Sequence, residues 1–167
     1  SIDTYDGVQR FESHLTTPEA LDLQRHFYNA AQSGVEYLEM EVSSQGLKYD
    51  RVYGVSFDVG CYLNLGADHI SPLEHPDAED YFQSKLKLFS QCAVACVNRG
   101  GARADEVIAV AEAHCRRVIT FGITEDAEVF GSQIRKSGND ILFHVRTARF
   151  SRQFRLTMPG LFNVENA

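Results

Sequence analysis

Two clusters of polar residues follow apolar runs in the sequence and could together bind a divalent cation. The first cluster comprises Glu41, Ser43 and Ser44, and the second comprises Asn64, Asp68 and His69. Open α/β sheets bind ligands beyond the carboxyl ends of their strands, and carboxylate and imidazole groups are common ligands of divalent metals. Taken separately, each cluster also fits the start of a turn or a solvated loop, and the pattern alone favours that simpler interpretation.

A lysine in an apolar helical stripe is the third feature that could take part in binding or catalysis. Ala78, Phe82, Lys85 and Phe89 recur at the spacing of one helix face, whereas Lys87 is predicted to face solvent. A lysine at such a position usually packs its stem and extends its ammonium group to water. The alternative is a lysine held near a metal or an anion, with its positive charge removed by modification.

Alternating helix and strand patterns would position these groups. Helices are predicted at residues 16–34, 78–89 and 104–115, and strands at residues 35–42, 57–65, 92–98 and 116–122. Thr17 is predicted to cap the first helix, Pro18 suits its first turn and Gly34 ends it. The alternation predicts a doubly wound α/β fold, with a mostly parallel sheet and helices on both faces.

The pattern changes after Gly122. Residues 123–159 contain at least three strand-like runs separated by polar turns, which predicts a small antiparallel β meander attached to the α/β core. The whole chain of 167 residues is predicted to form one domain. Within that domain, residues 1–122 would be the core and residues 160–167 a separate final segment.

Composition excludes few functions. Sixteen basic and 23 acidic residues give a net charge of −7, which argues against a nucleic-acid partner because phosphate binding requires clustered positive charge. No apolar run is long enough to span a membrane, and no signal peptide opens the chain. The four cysteines lack the spacing of a zinc site, so they are predicted to be free thiols in a reducing cytoplasm.

Four sequence blocks together resemble the central domain of the Mur ligases. These blocks are "HLTTPEALDLQ", "MEVSSQGLKYDRV", "LNLGADHISPLEHPDAEDYFQSKLKLF" and "GLFNVENA", and they occur in the family's order. The chain most resembles the MurE-like members, which are UDP-N-acetylmuramoyl-tripeptide synthetases. The resemblance implies a fold related to the P-loop NTPases.

The resemblance assigns roles to individual positions on the acceptor side. It implies that Thr16, Thr17 and Pro18 line the UDP-sugar, and that Ser43 and Arg51 contact the muramoyl dipeptide. A guanidinium group suits that role because its forked donors match a carboxylate or a phosphate.

The same resemblance implies a magnesium and nucleotide site. Glu41 and His69 match magnesium-binding positions, and Lys85 matches a carbamylated lysine whose added carboxylate supports a magnesium ion. Asn64 would shape the site at a strand end, and Asn163 would face the adenine of ATP.

The implied reaction is the ATP-dependent formation of an amide bond. ATP would phosphorylate the D-glutamyl carboxylate of UDP-N-acetylmuramoyl-L-alanyl-D-glutamate, and the amine of an amino acid would displace phosphate from the acyl phosphate. Magnesium and basic groups would contribute positioning and charge neutralisation. The resemblance therefore implies ATP and Mg²⁺ as cofactors and a cytoplasmic location. The absence of a membrane or nucleic-acid partner is expected from the apolar runs and the net charge.

Departures from the family pattern shape the remaining expectations. No GKT or GKS triplet of a P-loop occurs in the chain, so it is expected to be an inactive piece of a larger ligase. Gln45, Gly66, Ala67 and the residues after Asn98 differ from those usual in MurE-like enzymes. Two alternatives therefore stay open: a sister ligase acting on folate or a polyglutamate, and a non-catalytic binding module derived from a ligase.

Overall fold

The computed structural model describes residues 3–66, 70–71, 74–158, 160–161 and 163–166. Its contacts divide the chain into two compact units. The first unit comprises Ser1–Val55 and Ala67–Leu88, and the second comprises Ser56–Gly66 and Phe89–Ala167. Among the described residues, no helix combines the length and the apolar character that crossing a membrane requires.

The described residues of the first unit form a short hairpin and three α-helices. Its elements are β1 (Asp3–Tyr5), β2 (Arg10–Glu12), α1 (Ala20–Gln32), α2 (Ser44–Lys48) and α3 (Ala78–Leu86). A 3-10 helix, Lys87–Gln91, follows α3 directly. Strands β1 and β2 pair antiparallel, and this hairpin is absent from the sequence prediction.

One buried carboxylate holds the turn of the hairpin and ties it to α1. Asp6 accepts hydrogen bonds from the backbone N–H groups of Val8 and Gln9, and its other oxygen lies 2.8 Å from both His26 Nδ1 and Asn29 Nδ2. These bonds, with that of Asn29 foremost, hold the pKa of Asp6 well below its usual range. The ionised carboxylate therefore fastens the turn to the buried face of the helix.

The beginning of α1 differs from its prediction. The helix starts at Ala20, its N-cap is Glu19, and no side chain of the described residues caps it, so the prediction that Thr17 caps this helix is wrong. Thr17 instead bonds to a distant segment, as described below. Gly34 follows the helix with φ +73°, a left-handed conformation that glycine adopts at low cost, so its predicted role in ending the helix is confirmed.

The prediction of a strand at residues 35–42 is also wrong. This segment has no regular structure, and Tyr37 and Leu38 are exposed. Alternating side chains make a segment suited to a sheet, but a strand also requires a hydrogen-bonded partner, and none of the described strands pairs with it. Helix α2 follows this segment, between the predicted strands at residues 35–42 and 57–65.

The second unit is built on a six-stranded sheet. Its strands are β3 (Phe57–Tyr62), β4 (Cys92–Asn98), β5 (Arg117–Gly122), β6 (Val129–Ser137), β7 (Asp140–Arg146) and β8 (Ser151–Leu156). Strands β3 to β6 pair in parallel, and β6 to β8 pair antiparallel. The predicted strands β3, β4 and β5 and the antiparallel meander are thus confirmed.

The order of the strands corrects one detail of the predicted topology. The strands lie in sequence order from β3 to β8, so the reversal that defines a doubly wound sheet does not occur among the described strands. The meander is also continuous with the parallel sheet, because Phe121 and Gly122 of β5 pair with the start of β6. The fold is therefore a mixed α/β sheet.

The interior of the second unit explains why these runs form strands. Ala95 and Val97 of β4 are fully buried, and α4 (Ala104–His114) packs against β4 and β5 through buried Val107 and Ala111. Ile141 and Phe143 of β7 form a separate cluster with Val164 of the short helix α5 (Asn163–Asn166). Burial on both faces matches the nearly continuous apolar sequence of β4.

Candidate functional site

The hydroxyl of Thr17 is the centre of a hydrogen-bond cluster in the first unit. The Thr17 side chain is fully buried, and its Oγ1 accepts the backbone N–H of Ser43 at 2.8 Å. The same oxygen lies 3.1 Å from the carbonyl oxygen of Glu41 and 3.2 Å from Ser43 Oγ. The cluster therefore fixes the backbone from residue 41 to residue 43 against the segment that precedes α1.

Ser43 connects this cluster to α2. It is the N-cap of the helix, and its Oγ accepts the backbone N–H of Gly46 at 3.0 Å. A Cβ atom on Gly46 would lie 2.9 Å from the Cβ, Cγ2 and Oγ1 atoms of Thr17. The close approach of helix and threonine thus requires glycine at position 46.

Arg51 borders the same cluster. Its Nη1 donates to the carbonyl oxygen of Thr17 at 3.4 Å, and its Nη2 lies 3.1 Å from the carboxylate of Glu19. The Nε atom is buried and has no hydrogen-bond partner among the described residues. A buried guanidinium N–H without a partner is costly, so the geometry favours an additional anionic or carbonyl acceptor at this position.

The other two residues predicted to contact the UDP-sugar flank Thr17. Thr16 is exposed and Pro18 is partly exposed. The structure therefore brings Thr17, Ser43 and Arg51 together by hydrogen bonds and leaves the exposed Thr16 beside them.

Lys85 lies on α3 and is half-buried. Its Nζ atom lies 3.5 Å from Tyr81 Oη and 5.3 Å from the centre of the Tyr81 ring. Burial lowers the pKa of the Lys85 amine, and the negative charge of Glu41 acts in the opposite direction. Lys85 thus lies within the electrostatic range of Glu41, and its burial makes the neutral amine, the form that carbamylation requires, more accessible than in an exposed lysine.

The helix stripe around Lys85 is partly as predicted. Phe82 is buried, but Ala78 is exposed, and Phe89 lies beyond the end of α3. Lys87 is exposed and also donates to the carbonyl oxygens of Leu47 and Lys48, at 3.3 and 3.4 Å. The prediction that Lys87 faces solvent is therefore confirmed, and its ammonium group also covers the carboxyl end of α2.

Of the residues predicted to bind magnesium, the structure describes Glu41 and Lys85. Glu41 is an exposed carboxylate, and a carbamate on Lys85 would be a second anionic oxygen donor of the kind that magnesium prefers. Asp68 and His69 lie outside the described residues. Within the described part of the chain, no group of three His, Cys, Asp or Glu side chains is arranged to hold a metal ion.

A second cluster in the first unit is absent from the sequence prediction. The ring of His75 is fully buried between Ser44 and Asp80, and Lys48 also binds the Asp80 carboxylate at 2.6 Å. The hydrogen bonds of Lys48 and His75 lower the pKa of Asp80. Sequence patterns gave no signal for it, because its members are separated by up to 36 residues and only the fold brings them together.

Two predicted site residues, Asn64 and Asn163, belong to the second unit. Asn64 is exposed two residues after β3, and Asn163 is the first residue of α5. Asn98 at the end of β4 accepts the backbone N–H of Gly100 at 2.9 Å and lies 3.5 Å from the carboxylate of Glu165. A cavity of about 360 Å³ is lined mainly by apolar side chains of the sheet, with Glu165 and Asn166 from the end of the chain.

Comparison with known proteins identifies strong similarities. Residues 2–167 match the family described as "Mur ligase middle domain". The chain is 38% identical over 167 residues to the UDP-N-acetylmuramyl-tripeptide synthetase of Lactococcus lactis subsp. cremoris, covering 98% of the chain and 32% of that protein. It is 39% identical over 165 residues to the UDP-N-acetylmuramoyl-L-alanyl-D-glutamate–L-lysine ligase of Streptococcus suis, with the same two coverages.

Comparison with solved structures identifies the same group of proteins. A solved structure of a UDP-N-acetylmuramoyl-L-alanyl-D-glutamate–2,6-diaminopimelate ligase superposes with a TM-score of 0.84 and 28% identity. The superposition covers 93% of this chain and 32% of the solved chain. The chain thus spans about a third of the length of the relatives that it matches.

Proposed function

The chain belongs to the Mur ligase family, whose middle domain it matches, and we propose that it supplies the acceptor and magnesium sites of an ATP-dependent amide ligase. The proposed acceptor is UDP-N-acetylmuramoyl-L-alanyl-D-glutamate, and the second substrate is an amino acid that supplies the amine. The observation that carries the proposal is the half-buried Lys85 within the electrostatic range of Glu41: burial lowers the pKa of its amine, and the negative charge of Glu41 opposes that shift.

The acceptor would be held by the cluster around Thr17. Arg51 has a buried Nε–H that no described residue accepts, and this N–H suits a carboxylate or phosphate oxygen of the acceptor. Ser43 is fixed by the hydroxyl of Thr17 and by α2, so its hydroxyl is preorganised beside the same segment. Exposed Thr16 and partly exposed Pro18 would extend this surface along the UDP-sugar.

Glu41 and a carbamate on Lys85 would hold magnesium, together with His69. A magnesium ion at this position would neutralise the negative charge that develops when a phosphoryl group is transferred to the acceptor carboxylate. A carbamate forms when the neutral amine of Lys85 attacks carbon dioxide and loses a proton. Burial of the amine favours this step because it disfavours the ammonium form.

The proposed reaction forms one amide bond for each ATP consumed. The acceptor carboxylate takes the terminal phosphoryl group of ATP, ADP leaves, and the amine displaces phosphate and loses a proton. Asn64 and Asn163 are proposed to lie on the nucleotide side, with Asn163 facing the adenine. Because ATP and the UDP-linked acceptor are cytoplasmic metabolites, the proposed activity belongs in the cytoplasm.

A chimera tests this proposal directly. This chain replaces the matching third of the Streptococcus suis L-lysine ligase, and release of phosphate is measured with ATP, Mg²⁺, L-lysine and the UDP-linked acceptor. We expect acceptor-dependent turnover. In the chimera, Lys85→Ala should lower kcat by about 100-fold, the scale for removing one group that stabilises transition-state charge. Short carboxylates such as formate should restore part of the rate.

Lys87→Ala is the matched control. Lys87 lies two residues from Lys85, and its ammonium group is bonded to carbonyl oxygens at the end of α2. We expect the control to keep kcat within about twofold, because a single partly exposed contact contributes little. Full activity of the Lys85→Ala chimera would refute the role of Lys85. Turnover with a folate or polyglutamate acceptor instead of the muramoyl acceptor would refute the proposed substrate.

A further inference from the structure

Three partners surround the buried imidazole of His75. Its Nε2 lies 2.9 Å from Ser44 Oγ and its Nδ1 lies 2.6 Å from Asp80 Oδ2. The ring also packs against the ring of Tyr81, with 5.2 Å between the ring centres and a tilt of 55°. His75 is 0% exposed, so each of these contacts is protected from water.

Two of these partners belong to different helices. Ser44 is the first residue of α2 and directly follows Ser43, whereas Asp80 lies in the first turn of α3. At the other end of α2, Lys48 binds the Asp80 carboxylate at 2.6 Å and the carbonyl oxygen of Glu74 at 3.1 Å. Both ends of α2 are therefore fastened to the beginning of α3.

The third partner, Tyr81, also contacts Lys85. Tyr81 is buried, and its ring has contact with His75 and with the Lys85 ammonium group, whose Nζ atom lies 5.3 Å from the ring centre. Lys85 is also one helical turn after Tyr81, so the two side chains share a face of α3. A displacement of His75 would move Tyr81 and hence the amine.

The order Ser44, His75 and Asp80 resembles the hydrogen-bond chain of a nucleophilic triad. A nucleophilic serine must reach its substrate. Ser44 is only 7% exposed, and its oxygen is directed at an imidazole that is itself completely buried. The burial of both groups favours a mechanical role over nucleophilic catalysis.

We propose that His75 is a positioning residue that sets the place of the Lys85 amine relative to Glu41 and Ser43. It fixes α2 to α3 through Ser44 and Asp80, and it supports Tyr81 beneath Lys85. This inference rests on the proposed function, because the placement matters for catalysis only if Lys85 becomes a carbamate. His75 itself would touch neither substrate nor metal.

The experiment compares two buried histidines of the same unit. His26 is 5% exposed and lies 2.8 Å from Asp6, so it is also a buried histidine paired with an aspartate, but its partner ties the hairpin to α1. His75→Gln and His26→Gln are prepared in the 167-residue chain, with Ser44→Ala as a milder variant that removes one bond of the His75 cluster. Lys85→Arg removes the NMR resonances of Lys85 and therefore assigns them.

Two NMR measurements give the result. The pH titration of the Lys85 Cε resonance reports the environment of the amine, and titration with ¹³C-bicarbonate reports the formation of the carbamate. We expect His75→Gln and Ser44→Ala to move the Lys85 titration midpoint towards that of an exposed lysine. The bicarbonate concentration at which half of the Lys85 side chains carry the carbamate should rise by about threefold or more. This change lies within the range for coupling through a packed network. His26→Gln should lower thermal stability and leave both titrations unchanged.

The outcomes separate this inference from the proposed function. Unchanged Lys85 titrations in both His75→Gln and Ser44→Ala would overturn the positioning role, as would an equal effect of His26→Gln. If no carbamate forms in the unsubstituted chain but the His75 and Ser44 substitutions still shift the Lys85 titration, the positioning role stands and the carbamate part of the proposed function fails.

Discussion

Removing the hydroxyl of Thr17 should destabilise the first unit more than removing its methyl group. Thr17→Val keeps the shape of the side chain but deletes the oxygen that accepts the Ser43 N–H at 2.8 Å and bonds to Glu41 or Ser43 at 3.1–3.2 Å. Because Thr17 is fully buried and valine fills the same volume, water cannot replace the oxygen.

The two substitutions differ in their expected cost. An N–H group left without a partner costs about 1–3 kcal/mol, and the loss of the donated hydrogen bond adds about 0.5–1.5 kcal/mol. Thr17→Val should therefore lower the free energy of unfolding by about 1.5–4.5 kcal/mol. Thr17→Ser keeps the oxygen and removes one buried methyl group, which costs about 1 kcal/mol.

Tyrosine fluorescence during urea unfolding is the assay for this comparison. The chain has seven tyrosines and no tryptophan, and every tyrosine except Tyr62 belongs to the first unit, so the signal reports the unit that contains Thr17. A double-mutant cycle with Ser43→Ala should give a coupling of at least about 0.5 kcal/mol, as expected for residues in one network. If Thr17→Ser costs as much as Thr17→Val, the hydroxyl does not hold the cluster and the reasoning is refuted.

Two further substitutions test the packing and the electrostatics of the first unit. Gly46→Ala should destabilise the chain by about 1–2 kcal/mol in thermal or urea unfolding, because overpacking outweighs the helix propensity of alanine. Gly131→Ala is its control, since the nearest atom to a new Cβ there is 3.6 Å away; equal costs would contradict the predicted clash with Thr17. Asp80→Asn should lower stability at neutral pH, because the folded pKa of Asp80 lies below its unfolded value and its ionised form therefore stabilises the fold above the unfolded pKa. That difference should shrink as the pH falls below about 4 and through the folded pKa; a difference that is constant with pH would show that the charge of Asp80 is unimportant.

The sequence predicted the elements whose pattern is decided locally. The strands at Phe57–Tyr62, Cys92–Asn98 and Arg117–Gly122 and the helix at Ala104–His114 follow from apolar runs and helical spacing, and turn residues mark the antiparallel strands. The sequence also identified the family from its motifs. Motifs and local patterns depend on neighbours in the chain, so they can be read without knowledge of tertiary contacts.

The predicted site was recognised from motifs and not from geometry. The structure brings Thr17, Ser43 and Arg51 into one hydrogen-bond cluster and places Lys85 within the electrostatic range of Glu41. Their roles in binding and catalysis stay predictions for the experiments above.

Contacts between distant segments determine the features that local sequence patterns did not predict. Alternation at residues 35–42 resembled a strand, but a strand exists only where a partner supplies hydrogen bonds. Thr17 resembled a helix cap, but its hydroxyl bonds to Ser43, 26 residues away. The burial of His75 between Ser44 and Asp80 has no local signature at all. The sequence by itself determined the family and the regular elements, and only the tertiary structure determined which polar groups share a site, because each long-range hydrogen bond depends on the whole fold.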